Sequence, residues 1–361
     1  MKQSKNRLRR IRRQEWLLKR DRKQFCGKHG HKSGRTGFSH WLHGNDFTKG
    51  SIGSTRDRRV IIKLPEVLDF EEYYEPTASH FDLLRRGSHI GRHLALVRFD
   101  KIRHISPSAA LVLASEVDRW NQLRGGRLKA AVESWHEQIR RLLRQMGYFE
   151  LLNIGAPLDE KNGYSDPQFL RFKRGDENDR NAGELARQLR VEIEQLVGFN
   201  IKRHLLFEGL SEAITNVGQH AYPDASFKVK QWWLSASYHK EKRRLCVMFY
   251  DQGAGIPATL PTSDVIERLR EYFDTWPDSR KIEAAMEVGR SATGATERGK
   301  GLQNLVEFAK AHDEGRLSIY SLNGMYRLNV RNENGQQTVE TIQRDYVNSI
   351  NGTLIEWEVT L

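Results

Sequence analysis

Three polar side chains recur every four residues in a stretch with a helical pattern, residues 210–221. They are Glu212, Asn216 and His220. Four residues turn an α-helix by about 400°, so the three side chains are expected to project from one helical face. A carboxylate and an amide oxygen on one face suit Mg²⁺, which takes hard oxygen ligands and keeps several waters. The spacing therefore indicates a magnesium-binding face.

A second segment, Asp251-Gln252-Gly253-Ala254-Gly255-Ile256, follows the apolar run 245–250. Asp251 is predicted to stand at the end of a strand, where its carboxylate can accept a hydrogen bond from an exocyclic amine. The glycines at positions 253 and 255 allow the backbone to approach a ligand closely and to adopt positive φ. The segment therefore predicts a loop that binds a ligand through its backbone and one carboxylate.

A third segment, Arg298-Gly299-Lys300-Gly301-Leu302, opens the helix predicted over residues 301–311. Free N–H groups and the helix dipole attract anions to a helix N-terminus. A cation flanked by glycines at this place therefore indicates a phosphate site. Each segment alone has a bland interpretation as a solvated face or a turn. Found together on a helix, a strand end and a helix start, they favour a nucleotide site.

In this order and spacing the segments resemble the GHKL superfamily, which includes gyrase B-type ATPases, large heat-shock chaperones, MutL-type repair proteins, sensor histidine kinases and anti-sigma-factor kinases. The resemblance covers residues 183–361. The N-box is matched by Glu212-xxx-Asn216-xxx-His220-Ala221, the first glycine box by Asp251-x-Gly253-x-Gly255-Ile256, and the second by Gly299-x-Gly301-Leu302. Gly352-Thr353 resembles the late Gly-Thr that contacts the phosphates in this family.

The resemblance implies ATP and magnesium as cofactors and assigns roles to the matched residues. Asn216 would bind magnesium, Asp251 would recognise the adenine amine, and residues 257–298 would form a lid. The other implied ATP-binding residues are His220, Gly253, Gly255, Ile256, Arg298, Gly299, Lys300, Gly301, Leu302 and Thr353.

Glu212 stands where family members that turn over ATP keep a catalytic base. This position predicts turnover but leaves the phosphate acceptor open. Water as the acceptor gives an ATPase, whereas a protein hydroxyl gives a serine/threonine kinase of the anti-sigma type, because those kinases also carry this Glu. A sensor histidine kinase is not expected, since no membrane segment and no hairpin with a phosphoacceptor histidine precede the domain.

The elements that must position these residues follow from the hydrophobic pattern. Residues 183–220 are predicted to be helical in two pieces. Strands are predicted at 230–238, 244–250, 316–322, 325–330 and 353–360. This order predicts an α+β fold in which residues 183–361 form a two-layer α/β sandwich, with helices over a mixed, mostly antiparallel sheet. Residues 156–182 are polar and rich in Gly, Asp and Asn, and are predicted to be a linker.

Residues 60–155 alternate between predicted strands and helices, which favours a separate small α/β domain. Strands are expected at 60–64, 94–99 and 128–132, and helices at 106–124 and 136–146. The pattern resembles the STAS domains of anti-anti-sigma factors, and this resemblance implies a protein partner.

The start of the STAS-like helix departs from the family pattern Asp-Ser-Ser-Gly, whose first Ser is phosphorylated. Ser106 stands in place of the Asp, and Pro107 in place of that Ser. Ser106 and Ser108 are therefore expected to cap the helix, and phosphorylation of either serine is the alternative.

Residues 1–59 form a basic arm rich in Gly and His. Residues 1–60 contain 18 Lys and Arg against four acidic residues, a charge of +14, while the whole chain carries +13. With its interspersed aromatic residues, the arm fits a nucleic-acid partner, and the alternative is a solvated tail. Nucleic-acid binding would favour a clamp that forms a homodimer when it binds ATP.

The chain contains two cysteines, Cys26 and Cys246. A disulfide framework is therefore not expected, and the cytoplasm is the predicted location. No run of about 18 uncharged apolar residues predicts a membrane-spanning helix. Zinc is a further candidate cofactor for the arm, although the usual Cys-x2-Cys pair is missing. Its candidate ligands are Cys26, His29, His31, His40 and His43.

Overall fold

The structure of the 361-residue chain is a computed structural model. It describes residues 46–48, 51–54, 60–89, 94–124, 128, 131–154, 166–178, 181–199, 201–259, 275–291, 301–333 and 335–361. These residues form an α+β fold, as the sequence predicts. Among them, no helix has both the length and the apolar character needed to cross a membrane.

The N-terminal region, residues 46–154, alternates strands with helices. Its strands are β1 (Ile52–Ser54), β2 (Val60–Lys63), β3 (Val67–Leu68), β4 (Leu94–Arg98) and β5 (His104–Ile105). Its helices are α1 (Tyr74–His89), α2 (Pro107–Arg124), α3 (Glu137–Met146) and α4 (Tyr148–Leu151). Strands β1, β2 and β4 form one sheet, in which β2 and β4 are parallel, and β3 pairs with β5.

This region differs from the sequence prediction in several elements. Residues 52–54, assigned to the arm, form β1 and pair antiparallel with β2. The described residues of the strand predicted at 128–132 form no strand, and Val132 begins a short 3-10 turn. Leu128 and Val132 are nevertheless buried, which accounts for their apolar side chains. Helix α1 was not predicted, because the buried polar residues Thr77 and His80 interrupt its apolar period.

The C-terminal region, residues 166–361, forms one sheet and a layer of helices. Its strands are β6 (Gln168–Phe169), β7 (Lys173–Asp176), β8 (Gln231–His239), β9 (Arg244–Asp251), β10 (Glu314–Glu333) and β11 (Gln336–Thr360). Its helices are α5 (Ala182–Val197), α6 (Arg203–Asn216), α7 (Ile256–Thr259), α8 (Asp278–Ser291) and α9 (Gly301–Lys310). The strand order is β10-β11-β9-β8-β6, and β7 also pairs with β8.

Every pairing in this sheet is antiparallel. Strands β6 and β7 correct the prediction of a linker at 156–182, because residues 168–169 and 173–176 belong to the sheet. Both strands are short, and half-buried and exposed residues alternate along β7. Their polar composition is therefore that of a sheet edge.

The alternation of side chains along β8 and β9 explains why both faces of the sheet are covered. Trp232 and Phe249 face the helices and belong to their core. Trp233 and Tyr250, one residue further along each strand, belong to the core of the N-terminal region. The sheet is thus the middle of three layers, and β8 and β9 are buried along almost their whole length.

Strands β10 and β11 form a hairpin that is longer than predicted. The strands expected at 316–322 and 325–330 join into β10, and the one expected at 353–360 extends back to Gln336. Register shifts around Leu322 separate the inner part of the hairpin, which lies in the sheet, from an outer part. Helix α8 packs along the outer part. A Cβ atom at Gly324 would come within 2.5 Å of the Asp278 carbonyl carbon.

Candidate functional site

Helix α6 carries the first group of predicted site residues. Its apolar residues Leu210, Ala213 and Ile214 are buried in the core between the helices and the sheet. Glu212 and Asn216 are half-buried, and their side chains form a hydrogen bond with each other. Burial raises the pKa of the Glu212 carboxyl above its usual range, and the hydrogen bond opposes part of this rise. A carboxylate with a raised pKa is a stronger proton acceptor, as a general base requires.

The helix changes its winding directly after Asn216. Residues Val217–Ala221 form a π-helical turn, a feature found frequently at functional sites. His220 lies on this turn and is exposed. His220 follows Asn216 by four residues, and the backbone between them runs through this wider turn. The predicted i, i+4 spacing is α-helical for Glu212 and Asn216, whereas the step to His220 is π-helical.

The N-box segment, residues 212–221, ends in direct contact with the glycine segment, residues 251–256. The Ala254 N–H donates a 2.7 Å hydrogen bond to the Ala221 carbonyl oxygen. A Cβ atom at Gly253 would lie 2.7 Å from the Ala221 Cβ, closer than real Cβ atoms come. The fold thus brings together two segments that the sequence identified separately. The close approach of Ala221 thus requires glycine at position 253. The sequence alone had attributed this glycine to the approach of a ligand.

Gly255 meets both conditions that favour glycine. Its φ is +83°, a left-handed conformation that residues with a Cβ rarely adopt. A Cβ atom there would also lie 2.8 Å from Leu322 Cγ and 2.9 Å from Ser321 Oγ. The glycine segment is therefore pressed against β10 after it leaves β9.

Asp251 is the last residue of β9, and its side chain is buried. The Gly253 N–H donates a 2.8 Å hydrogen bond to Asp251 Oδ1, and the Thr353 N–H also donates to this carboxylate. Burial raises the pKa of Asp251 from its ordinary value of 3.8 to about 7, although these two hydrogen bonds oppose the rise. When ionised, the carboxylate can accept a further hydrogen bond from a ligand.

Thr353 lies beside Asp251. The two residues face each other in the register of β11 and β9. Thr353 Oγ1 is 3.0 Å from Ser321 Oγ, which accepts a 2.9 Å hydrogen bond from the Ile256 N–H. The resemblance implies a phosphate contact for Thr353, whereas the structure groups it with the residue that is implied to recognise adenine.

Helix α9 begins at Gly301, the residue predicted to open it. The Trp357 Nε1–H donates a 2.9 Å hydrogen bond to the Leu305 carbonyl oxygen, which ties α9 to the sheet. A Cβ atom at Gly209 of α6 would lie 3.7 Å from the Asn304 carbonyl oxygen, so α6 and α9 pack closely. Leu302 belongs to the first turn of α9. Three predicted phosphate residues lie outside the described part of the chain: Arg298, Gly299 and Lys300.

The described parts of the predicted lid, residues 257–298, include helix α8. Its residues Ile282 and Met286 are buried in the core of the helical layer. The Ser279 N–H donates a 3.0 Å hydrogen bond to Asp345 Oδ1 on the outer part of the hairpin. Helix α8 is therefore packed into the fold. The arm up to residue 45, with all five candidate zinc ligands, lies outside the described residues.

Within the described ranges, no group of three or more His, Cys, Asp and Glu side chains is placed to hold a metal ion. Magnesium needs no such group, because it is usually bound by one or two protein oxygens together with substrate phosphates and water. The Asn216 amide oxygen and the Glu212 carboxylate fit that set of ligands, and the Asn216 amide N–H donates the hydrogen bond that joins the two side chains.

Three residues of the site were missed by sequence reasoning: Tyr222, Gln252 and Ser321. Tyr222 Oη accepts a 3.2 Å hydrogen bond from the Gln252 N–H. The only signal for Tyr222 and Gln252 was their position next to matched residues. Ser321 carried a stronger signal, since it is a serine within an apolar strand, and it is fully buried.

No protein-family model matches the chain, and no curated protein matches it. A functional proposal therefore depends on the residues and contacts described above.

Proposed function

We propose that residues 183–361 form an ATP-binding domain of the GHKL type that works with magnesium. The observation that carries this proposal is the 2.7 Å hydrogen bond between the Ala254 N–H and the Ala221 carbonyl oxygen. It joins the end of the N-box segment to the glycine segment. Two motifs that matched a family by chance would have no reason to lie against each other. A ligand bound by both segments requires the segments to lie close together, as they do here.

Asp251 would recognise the adenine base. Its ionised carboxylate can accept a hydrogen bond from the 6-amino group of ATP. GTP carries a 6-oxo group, which is an acceptor and would face the buried carboxylate where ATP presents a donor. Such a mismatch is expected to cost about 1–3 kcal/mol of binding free energy. The neighbouring Thr353 hydroxyl, held by Ser321, would belong to the same end of the site.

Asn216 and Glu212 would serve the phosphate end. Asn216 would provide an oxygen ligand for the magnesium ion that accompanies the phosphates. Glu212, held by its hydrogen bond to Asn216, would orient a water molecule and accept its proton as it attacks the γ-phosphate. The N-terminus of α9 at Gly301 would add backbone N–H groups for the phosphates.

Hydrolysis of ATP is favoured over phosphorylation of the chain's own N-terminal region. Ser108, one of the two serines at the start of α2, is only 4% exposed and forms a hydrogen bond with Glu356 of the sheet. Ser106 Oγ accepts from the Ala109 N–H at 3.4 Å, the contact of a helix cap. We therefore propose an ATPase that is regulated by its N-terminal region, whose STAS-like part, residues 60–155, also binds a protein partner. A kinase acting on a separate protein is the alternative.

A binding experiment with ATP and GTP tests this proposal. With magnesium present, calorimetry should show ATP binding and at least about fivefold weaker GTP binding, because the lower limit of the mismatch above, about 1 kcal/mol, is a factor of about five. Equal affinities for the two nucleotides would remove Asp251 from base recognition. Radiolabelled γ-phosphate released as inorganic phosphate would support the ATPase, whereas label retained on an added protein would support the kinase.

A further inference from the structure

The side chain of Gln252 leaves the glycine segment on the side of the N-terminal region. Gln252 stands between Asp251 and Gly253, and it is only 1% exposed. Its Nε2 donates a 2.8 Å hydrogen bond to Glu116 Oε1 and one of 3.2 Å to Ser115 Oγ. Both acceptors belong to helix α2. The glycine segment is therefore bonded directly to the layer on the other face of the sheet.

The Glu116 carboxylate is fixed by neighbouring arginine side chains. Its Oε2 accepts hydrogen bonds from Arg119 Nη2 at 2.8 Å and from Arg119 Nε at 3.2 Å. The Glu116 and Arg119 side chains are 3% and 5% exposed, and Arg85 Nη1 lies 4.0 Å from Glu116 Oε1. With Oε2 bonded to Arg119, Oε1 accepts from Gln252. Hydrogen bonds to a charged group are stronger and more directional than neutral ones, above all away from water.

The backbone of Gln252 is fixed from the opposite layer. Its N–H donates to Tyr222 Oη at 3.2 Å, and Tyr222 directly follows the N-box segment. Gln252 thus connects the N-box segment, the glycine segment and α2. A displacement of α2 relative to the sheet would be passed to Asp251 and Gly253, which are covalent neighbours of Gln252.

We infer that Glu116 and Gln252 are positioning residues through which helix α2 of the N-terminal region sets the geometry of the glycine segment. The consequence for ATP affinity rests on the proposed function, whereas the consequence for the order of the glycine segment does not. Binding free energies couple reciprocally. A partner that displaced α2 would therefore change ATP affinity, and ATP would change the affinity for that partner.

The test compares two variants of the full chain that each remove a hydrogen bond between α2 and the sheet. Gln252→Met removes the bonds to Glu116 and Ser115 while nearly keeping side-chain volume. Trp233→Phe removes the 3.1 Å bond from Trp233 Nε1 to Asp118 Oδ2, which lies outside the glycine segment. Hydrogen exchange is measured over residues 251–255 without nucleotide, and ATP affinity is measured by calorimetry with magnesium.

Gln252→Met should speed hydrogen exchange at residues 251–255 and weaken ATP binding about tenfold, a typical coupling between sites. Trp233→Phe should do neither, even where it lowers the melting temperature. Unchanged exchange in Gln252→Met, or equal effects of the two variants, would overturn the inference. Failure of the wild-type protein to bind ATP would overturn the proposed function instead, and hydrogen exchange would still decide the role of Gln252.

A double-mutant cycle guards against misfolding of one variant. If Glu116 acts through Gln252, Glu116→Met, which removes the acceptor, should weaken ATP binding, and adding Gln252→Met to it should produce little further loss. Additive losses in the double variant would show that the two residues act independently, which contradicts the inference.

Discussion

Relative to the native protein, the variant Asp251→Asn should gain stability as the pH rises. Asp251 is buried at the end of β9, and this burial raises its pKa from 3.8 to about 7. The asparagine variant keeps a side-chain oxygen that can accept the Gly253 N–H bond, which is 2.8 Å long in the native protein. It has no carboxyl group that must ionise inside the fold.

The sign and size of the effect follow from linkage. The folded state favours the protonated carboxyl of Asp251. The stability that this carboxyl contributes is fully present below about pH 4 and is lost as the pH rises to about 7. One pKa unit corresponds to about 1.4 kcal/mol. Between about pH 5 and about pH 8, the native protein should therefore lose about 2.5 kcal/mol relative to Asp251→Asn. Above about pH 8 the difference should stay constant.

The assay is urea unfolding of both proteins at a series of pH values. Tryptophan fluorescence reports on the relevant region, because Trp232, Trp233 and Trp357 are buried in this sheet. Burial also raises the pKa of Glu356 to about 7, but Glu356 is present in both proteins and its contribution cancels in the difference. A difference in unfolding free energy that does not change with pH would refute the buried, proton-holding carboxyl at position 251.

Three further results are expected. Gly253→Ala should destabilise the protein by about 1–3 kcal/mol, because the new methyl group meets Ala221, and it should weaken ATP binding. Thermal melts should show no such loss for Gly209→Ala, whose Cβ would make only ordinary contacts. Glu212→Ala should still bind ATP but release phosphate at least about a hundredfold more slowly, and an equal rate would exclude Glu212 as the base. Deleting residues 1–45 should nearly abolish a salt-sensitive binding of labelled DNA or RNA without changing ATP affinity. No retention of nucleic acid by the intact chain near physiological salt would rule out that partner.

Local signals in the sequence predicted the elements that carry the site. Helix α6 was visible from its apolar period, and α9 begins at the predicted Gly301. The left-handed Gly147, with a φ of +99°, ends α3 where a glycine after an apolar period predicts a C-cap. These features depend on a few consecutive residues, so one sequence is enough to find them.

The features of the site that could not be predicted from the sequence depend on packing between residues that are distant along the chain. The π-helical turn after Asn216 is one example, because nothing in the composition of residues 217–221 predicts a change from α-helical winding. The clash that requires glycine at position 253 comes from Ala221, which is distant along the chain. The register of β9 and β11 places Thr353 beside Asp251, and register depends on the whole hairpin. The packing of the N-terminal region on the sheet left one signal, the unbroken apolar run 245–250, which is typical of a strand covered on both faces, but this run does not identify what covers it.

The central claim is that Asn216 and the glycine segment together bind ATP with magnesium. The most direct measurement is a calorimetric titration of the full chain with ATP, with and without magnesium, for the native protein and for Asn216→Ala. The native protein should bind ATP in a magnesium-dependent manner. The variant, with an unchanged melting temperature, should lose the magnesium-dependent binding. Equal affinities with and without magnesium in the native protein, or an unchanged affinity in Asn216→Ala, would contradict the assignment of this site.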